Sequence, residues 1–340
     1  MSSLPSFAIR LHGGMDSRAC AAHAEHAERH GFQTVWFAEN PFQRGVLPAA
    51  SACVLATTHI QVGIGVFNPF NRHPTLMAME IGALDELSGG RAILGIGAGV
   101  PQTIEKFSTF SKIADAMRDT ISIVGPLLAG EEVVHVGKVF SADHVRLSYG
   151  LPRARIPVYV AAMGDRMLRL CGQTGDGLLI SNMCPPSFTR RAKEIMDAGA
   201  KVIDRKPPIE IVKYVPCVVA SDRREARRSV KPAIGAMLGA YWKAYQATPA
   251  ALAAIGSDNG IDPDQFLKSL QRLGAGEPAE DVLDDVFVAA YGVAGTVDEC
   301  LDQCHELGKT GVTQMTLTFH GDSAQESLAE LGGAARTFRE

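Results

Sequence analysis

The chain has 340 residues, 46% of them hydrophobic, enough to bury a full core and close to the size at which an α/β barrel fills one domain. Its 33 basic and 37 acidic residues leave a formal net charge of −4, which argues against an electrostatic nucleic-acid partner. Residues 1–6 lack the charged and apolar regions of a signal peptide and no apolar run reaches the roughly 18 residues of a membrane span, so a cytoplasmic location without a membrane partner is expected. The seven cysteines are scattered without a Cys-x-x-Cys and read as small core hydrophobes, and no metal site is expected, at Cys300 and Cys304 included.

Residues 7–12 form a first short strand, and Gly13-Gly14 turn it into a helix that Asp16 or Ser17 caps. His23, His26 and His30 lie along that helix and read as a solvated, histidine-rich face rather than as metal ligands. Residues 34–39 are a second strand ending in the carboxylate of Glu39, with a helix over 47–58 after it. Residues 60–67 are β-branched and glycine-rich without polar alternation, as in a parallel strand buried on both faces. A turn-forming mouth, 68–74, then leads to a helix from about Thr75, which Ser88-Gly89-Gly90-Arg91 stops. The fourth strand, 92–99, carries Gly95, Gly97 and Gly99, whose missing side chains leave the backbone open to a bulky flat ligand.

A polar loop, a helix over 110–128 and a small hairpin around Gly137 within 133–140 follow. The fifth strand, 156–162, runs into Met163-Gly164-Asp165-Arg166 at a helix N-terminus, where free N–H groups and the helix dipole favour a phosphate. Residues 177–182 are a sixth strand, a helix runs to about Lys201, and 209–220 are a seventh strand. The stretch 221–310, with Tyr241, Trp242 and Tyr245, is too long for one crossover helix and suggests a cap on the catalytic face, its aromatics mostly core. An eighth strand, 312–319, and a helix, 324–338, complete the chain. Strand and helix in steady alternation wind into an open sheet or a closed barrel, and eight strands favour the closed (β/α)8 barrel with a helical insertion between strands seven and eight. No Gly-x-Gly-x-x-Gly opens the first βα unit, which lowers the dinucleotide-binding alternative.

Several of these stretches resemble the luciferase-like, flavin- or deazaflavin-dependent oxidoreductases of TIM-barrel fold. They are Gly31-Phe32 into Val35-Trp36-Phe37-Ala38-Glu39, Gly63-Ile64-Gly65-Val66 with Asn68-Pro69 and Arg72-His73-Pro74, and Leu84-Asp85-Glu86-Leu87-Ser88-Gly89-Gly90-Arg91 into Leu94-Gly95-Ile96-Gly97-Ala98-Gly99. Pro157-Val158-Tyr159-Val160-Ala161-Ala162 and Gly175-Asp176-Gly177 add to them. The resemblance covers nearly the whole chain, implies one such domain over 1–340, and is greatest to the F420-dependent methylenetetrahydromethanopterin reductase branch. It implies a cis peptide at Gly65-Val66 backing the cofactor ring and a phosphate site at Ala162, Met163 and Gly164, the place the residues alone point to. It also makes Asn68, Gly97 and Asn182 cofactor-binding candidates. Two positions depart from the family: Glu39-Asn40 stands where several F420 enzymes carry Asp-His, which removes a histidine acid or base there. Arg10 stands where the archaeal reductases place Glu, so membership is better supported than the methanopterin substrate.

The expected activity is hydride transfer between F420 and a small organic substrate with an electrophilic double bond, the cofactor supplying the chemistry. Glu39, as acid or base, and His12, as a substrate-orienting donor or proton source, flank the ring in this reading. Glu39 serves equally well as an ion-pair partner of Arg10 or Arg72. The alternatives are an FMN-dependent monooxygenase fed by a separate flavin reductase, and a non-catalytic flavin-binding barrel. A basic groove beyond Gly164, drawing on Arg166 and Lys213, would favour the longer anionic tail of F420. A homodimer is expected.

Overall fold

In the computed structural model, residues 4–208, 210–246, 249–256, 258–321 and 323–339 are described. β1 (Ser6–His12), α1 (Ser17–Arg29), β2 (Thr34–Ala38), α2 (Val46–Ala56), β3 (Gln61–Phe67), α3 (Pro74–Ser88) and β4 (Ala92–Ile96) open the chain. Next come α4 (Pro101–Ile104), α5 (Ile113–Leu128), the hairpin β5 (Val133–Val136) and β6 (Ser141–Val145), β7 (Val158–Ala161), α6 (Asp165–Thr174), β8 (Gly177–Ile180) and α7 (Pro186–Val202). β9 (Glu210–Val219) precedes five helices: α8 (Arg223–Tyr245), α9 (Pro249–Gly256), α10 (Pro263–Gly274), α11 (Ala279–Val282) and α12 (Asp285–Tyr291). A short β10 (Val293–Gly295), α13 (Val297–Lys309), β11 (Gln314–Phe319) and α14 (Ala324–Arg339) finish it. Ile209, the expected start of the seventh strand, lies outside the described residues.

The strands pair in the order β1-β2-β3-β4-β7-β8-β9-β11, and β11 returns to β1, so the sheet closes on itself. Every pairing in the ring is parallel. The expected closed (β/α)8 barrel is what forms. Several details differ from the sequence reading: β4 ends at Ile96 rather than at Gly99, and a helical turn, α4, lies where a polar loop was expected. The hairpin is longer, because its return strand lies beyond Phe140. Within the helical insertion Val293, Ala294 and Gly295 add a parallel strand to the upper half of β9, a pairing that a three-residue run of small side chains does not announce.

Ala8, Trp36, Ile93, Tyr159, Leu179, Val212 and Tyr214 fill the barrel, while a larger cluster lies between the strands and the outer helices. A third cluster, with Ile234, Leu238, Tyr241, Phe266, Phe287 and Tyr291, holds α8 to α12 together and reaches the end of β9 at Val218. Met163 and Met183, which follow β7 and β8, pack against it, and the side chain of Gln102 after β4 donates to the Ala244 carbonyl. The insertion therefore rests on the C-terminal mouth as a cap. Tyr241 is core, as expected, and Trp242 and Tyr245 pack at the edge of the same cluster. No helix of the described residues is long and apolar enough to cross a membrane.

The opposite face of the barrel explains the 84–91 motif. Asp85, fully buried, accepts from Ala92 N at 3.0 Å and from Arg153 Nη2 at 2.7 Å, which fixes the start of β4. Ser88 Oγ donates to the Asp85 carbonyl, Gly89 and Gly90 turn with φ of 67° and 89°, and Arg91 then donates to the carbonyls of Ile60 and Val54. This is a brace at the N-terminal ends of the strands, where barrels keep stability rather than chemistry.

Candidate active site

Strand pleating decides what faces the mouth, since alternate residues point inward. On β1 the inward set above Ala8 is Arg10 and His12, and β2 and β3 deliver Glu39 and Asn68 just past their ends. Gly97 follows β4, Ala162 to Gly164 follow β7, Asn182 follows β8, and Tyr214 lies on the inner face of β9.

Glu39 is held in an ion-pair network. Arg72 donates to it from Nε at 2.9 Å and Nη2 at 2.7 Å, while Arg72 Nη1 donates to Glu80. Burial works against the charge of Arg72, but the hydrogen bond and charge of Glu39, and then those of Glu80, outweigh it and raise its pKa. Glu80 is raised by burial, with Glu39 adding to it and Arg72 opposing. Of the two roles open to Glu39, the structure displays pairing with Arg72, and the two carboxylates share one guanidinium.

Across the mouth the groups are donors. His12 Nδ1 accepts from Gly14 N at 3.1 Å, which leaves the proton of the neutral ring on Nε2 as a donor. Burial and the nearby Arg10 charge lower its pKa, and burial, Arg10 and His12 lower that of His320 at the end of β11. Arg10 lies over the Tyr214 ring, with Cζ 5.5 Å from its centroid. Tyr214 in turn crosses the barrel, and its hydroxyl is 3.5 Å from the Gly65 carbonyl.

The surface between these sides is apolar. The Gly65–Val66 peptide bond is cis, as the resemblance implied. A Cβ on Gly97 would come within 2.8 Å of Val66 Cγ2 and 3.1 Å of Ala161 Cβ, so these three meet in one patch. Not every strand glycine opens the backbone to a ligand: at Gly63 a Cβ would lie 2.5 Å from the Trp36 ring, whose place it keeps free, and Gly65 does the same for Tyr214. Asn68 Oδ1 accepts from Phe70 N at 3.1 Å and Asn71 N at 3.2 Å, shaping the loop above the patch. Phe42 and Phe107 pack edge to face at 5.7 Å, bringing the loops after β2 and β4 together at the rim. Gly164 is the N-cap of α6 without a side-chain cap, and a Cβ there would meet nothing within 4 Å. Met163 beside it accepts from the Tyr241 hydroxyl at 3.5 Å, and Asn182 Oδ1 accepts from Ser181 Oγ.

Of the two possible members of a basic groove beyond Gly164, Arg166 is exposed and Lys213 does not face the mouth. Arg166 pairs with Asp115, and Lys213 is on the outward face of β9, 1% exposed, donating to the Cys184 carbonyl. Burial lowers its pKa to about 8. Sequence reasoning missed Glu80, Tyr214 and His320. The period of two along β9 marked Tyr214 as inward with Val212, and the position of His320 directly after the last strand marked it as a mouth residue.

A closed ring of eight parallel strands with its polar side chains gathered at their C-terminal ends is a TIM barrel with its site in the usual place. The chain belongs to the luciferase-like monooxygenase family, whose profile matches residues 2–314. It is 32% identical over 294 residues to the 5,10-methylenetetrahydromethanopterin reductase of Archaeoglobus fulgidus, covering 85% of this chain and 86% of that protein. The protein of the same name from Methanolobus tindarius is 28% identical over 301 residues, 87% of this chain and 88% of that one. Among solved structures, the coenzyme F420-dependent tetrahydromethanopterin reductase from Methanopyrus kandleri superposes with a TM-score of 0.81 at 24% identity, covering 97% of this chain and 98% of that one.

Proposed function

We propose that the protein is an F420-dependent oxidoreductase that moves a hydride between the cofactor and a small organic substrate in the barrel mouth. The observation that carries this is the match to the methylenetetrahydromethanopterin reductases along 85% of the chain. The mouth offers what such a cofactor needs. Val66, Gly97 and Ala161 make an apolar patch of the kind a flat ring rests on, and α6 begins at an open, uncapped N-terminus suited to a phosphate. In this reading Gly65, Val66, Asn68 and Gly97 bed the ring, Ala162, Met163 and Gly164 bind the phosphate through backbone N–H groups, and Asn182 contributes from β8. F420 supplies the hydride chemistry when bound. His12 orients the substrate through Nε2–H, and Glu39 either moves a proton or, through Arg72, holds the loop after β3.

The reading extends to a homodimer, supported by Leu55, Leu76, Met79 and Leu87, which lie exposed on adjoining helices α2 and α3. It extends to a cytoplasmic location, supported by seven cysteines that are all free thiols. Titrating the purified protein with F420 and with FMN while following fluorescence quenching tests the cofactor. Saturable quenching of F420 at micromolar concentration is the expected result. Binding of FMN alone would replace this reading with a monooxygenase served by a flavin reductase.

A further inference from the structure

Arg10 is the unexplained group in the barrel. Its Nε is shielded from solvent and has no hydrogen-bond partner, and the guanidinium forms no ion pair with a described carboxylate. It lies over the face of Tyr214. Thr316, on β11 in register with Ala8 and Tyr214, also has a buried hydroxyl without a partner. Around them stand His12 and His320, whose proton affinity burial lowers most, with the Arg10 charge adding to it. The carboxylates of the mouth, Glu39 and Glu80, are engaged with Arg72. Arg10 as a whole is half-buried, so its guanidinium is only partly shielded from water while its Nε is cut off and unpaired, an arrangement that favours an anion arriving at the guanidinium.

We propose that Arg10 anchors an anion subsite at the floor of the mouth, so that a negatively charged group of a bound ligand docks on the guanidinium, with Thr316, His12 and His320 as the surrounding donors. This deepens the reading of the same site as a cofactor-dependent oxidoreductase and adds a substrate class. The anion is either a carboxylate of the substrate or the ionised oxygen of the deazaflavin ring. Either is planar and delocalised, which suits a guanidinium better than an ammonium.

Two arms separate the sources, each run on the parent protein, Arg10→Met and Arg10→Lys. In the first, calorimetric titration compares benzoate with its neutral isostere benzamide. A substrate-side anion predicts at least tenfold tighter binding of benzoate, lost in Arg10→Met and partly kept in Arg10→Lys. In the second, the absorbance of bound F420 is followed against pH. A cofactor-side anion predicts that the ring ionises at lower pH when bound than when free, and that Arg10→Met abolishes the shift. A response in either arm supports the subsite and names its source. No benzoate preference together with an unshifted ring would overturn it. Should Arg10→Met fail to fold, the parent contrasts and Arg10→Lys still decide. A parent that prefers benzoate but binds no F420 keeps the subsite and loses the F420 reading.

Discussion

Replacing Glu39 with Gln removes one of the two carboxylates on Arg72 and leaves the other. The parent interaction is bidentate, at 2.9 and 2.7 Å, on a side chain only 9% exposed. Breaking a buried pair costs about 3–5 kcal/mol when the surviving charge has no other partner. Arg72 retains Glu80 and the amide keeps one acceptor, so the loss here is roughly 1–2 kcal/mol. Unfolding entropy for 340 residues is about 0.7 kcal/mol per kelvin, which converts that loss into a melting point lower by ~2 °C. Arg72→Met, by contrast, leaves Glu39 and Glu80 facing each other and should cost more. Its penalty should shrink on acidification: the proton affinity of Glu80 is already raised in the folded chain, and protonation removes the repulsion. Melting curves at pH 5 and pH 8 give the stability side, and steady-state kinetics with the cofactor give the other. A carboxylate that transfers a proton should cost about 10²-fold or more in turnover when it becomes an amide, whereas an ion-pair partner should leave turnover within a few-fold. If Glu39→Gln melts with the parent and Arg72→Met is no worse than Glu39→Gln, the network does not hold the loop and the reasoning fails.

Asp85→Ala removes the acceptor of Arg153 and of Ala92 N at the base of the barrel, and should cost about 3 kcal/mol, or ~4 °C, without changing cofactor affinity. Thermal melting paired with an F420 titration checks both halves. Gly164→Asp adds a carboxylate into open space at the α6 N-terminus, so the fold should be kept while F420 binding weakens at least tenfold. Unchanged affinity in that variant would move the phosphate elsewhere. His12 and His320 bind protons more weakly folded than unfolded, so the unfolded chain takes them up first and stability should fall as pH drops below about 6.5. Urea midpoints at pH 7.5 and 5.5 measure the drop, which burial mainly sets and which should be somewhat smaller in Arg10→Met because the added depression by its charge is gone.

The barrel was legible because its evidence is local. Each strand announces itself within a few residues, and the helix between strands is stopped by a visible signal such as Gly89-Gly90. The mouth was legible in part: Glu39, Asn68 and Gly97 were read at or near the ends of strands two to four, and they directly follow β2, β3 and β4. What was hidden depends on closure. Arg10 and Tyr214 stand 204 positions apart in the chain and meet because β1 and β9 both pair with β11. Lys213 reads as a possible member of a basic groove because a lysine normally reaches solvent. Its outward position on β9 places it under the loop before α7, where the Cys184 carbonyl receives its ammonium. Glu80 gave no signal because its partner Arg72 precedes the helix that carries it.

The same division explains why family and substrate are read with unequal ease. The run of residues 84–91 that carries the resemblance most strongly is the brace beneath the barrel, in which Asp85, Ser88 and Arg91 tie α3 to the starts of β3 and β4. The brace lies at the N-terminal ends of the strands, away from the mouth, so the motif reports the scaffold rather than the substrate. Substrate choice rests instead on single inward positions at the opposite end of the strands, each replaceable without disturbing the pleat. Arg10 is such a position. A cation there, paired with no carboxylate among the described residues, makes the floor of the mouth attractive to an anion, whereas a carboxylate at the same point would repel one. One side chain on β1 therefore bears on the ligand's charge while leaving every strand pairing of the barrel in place.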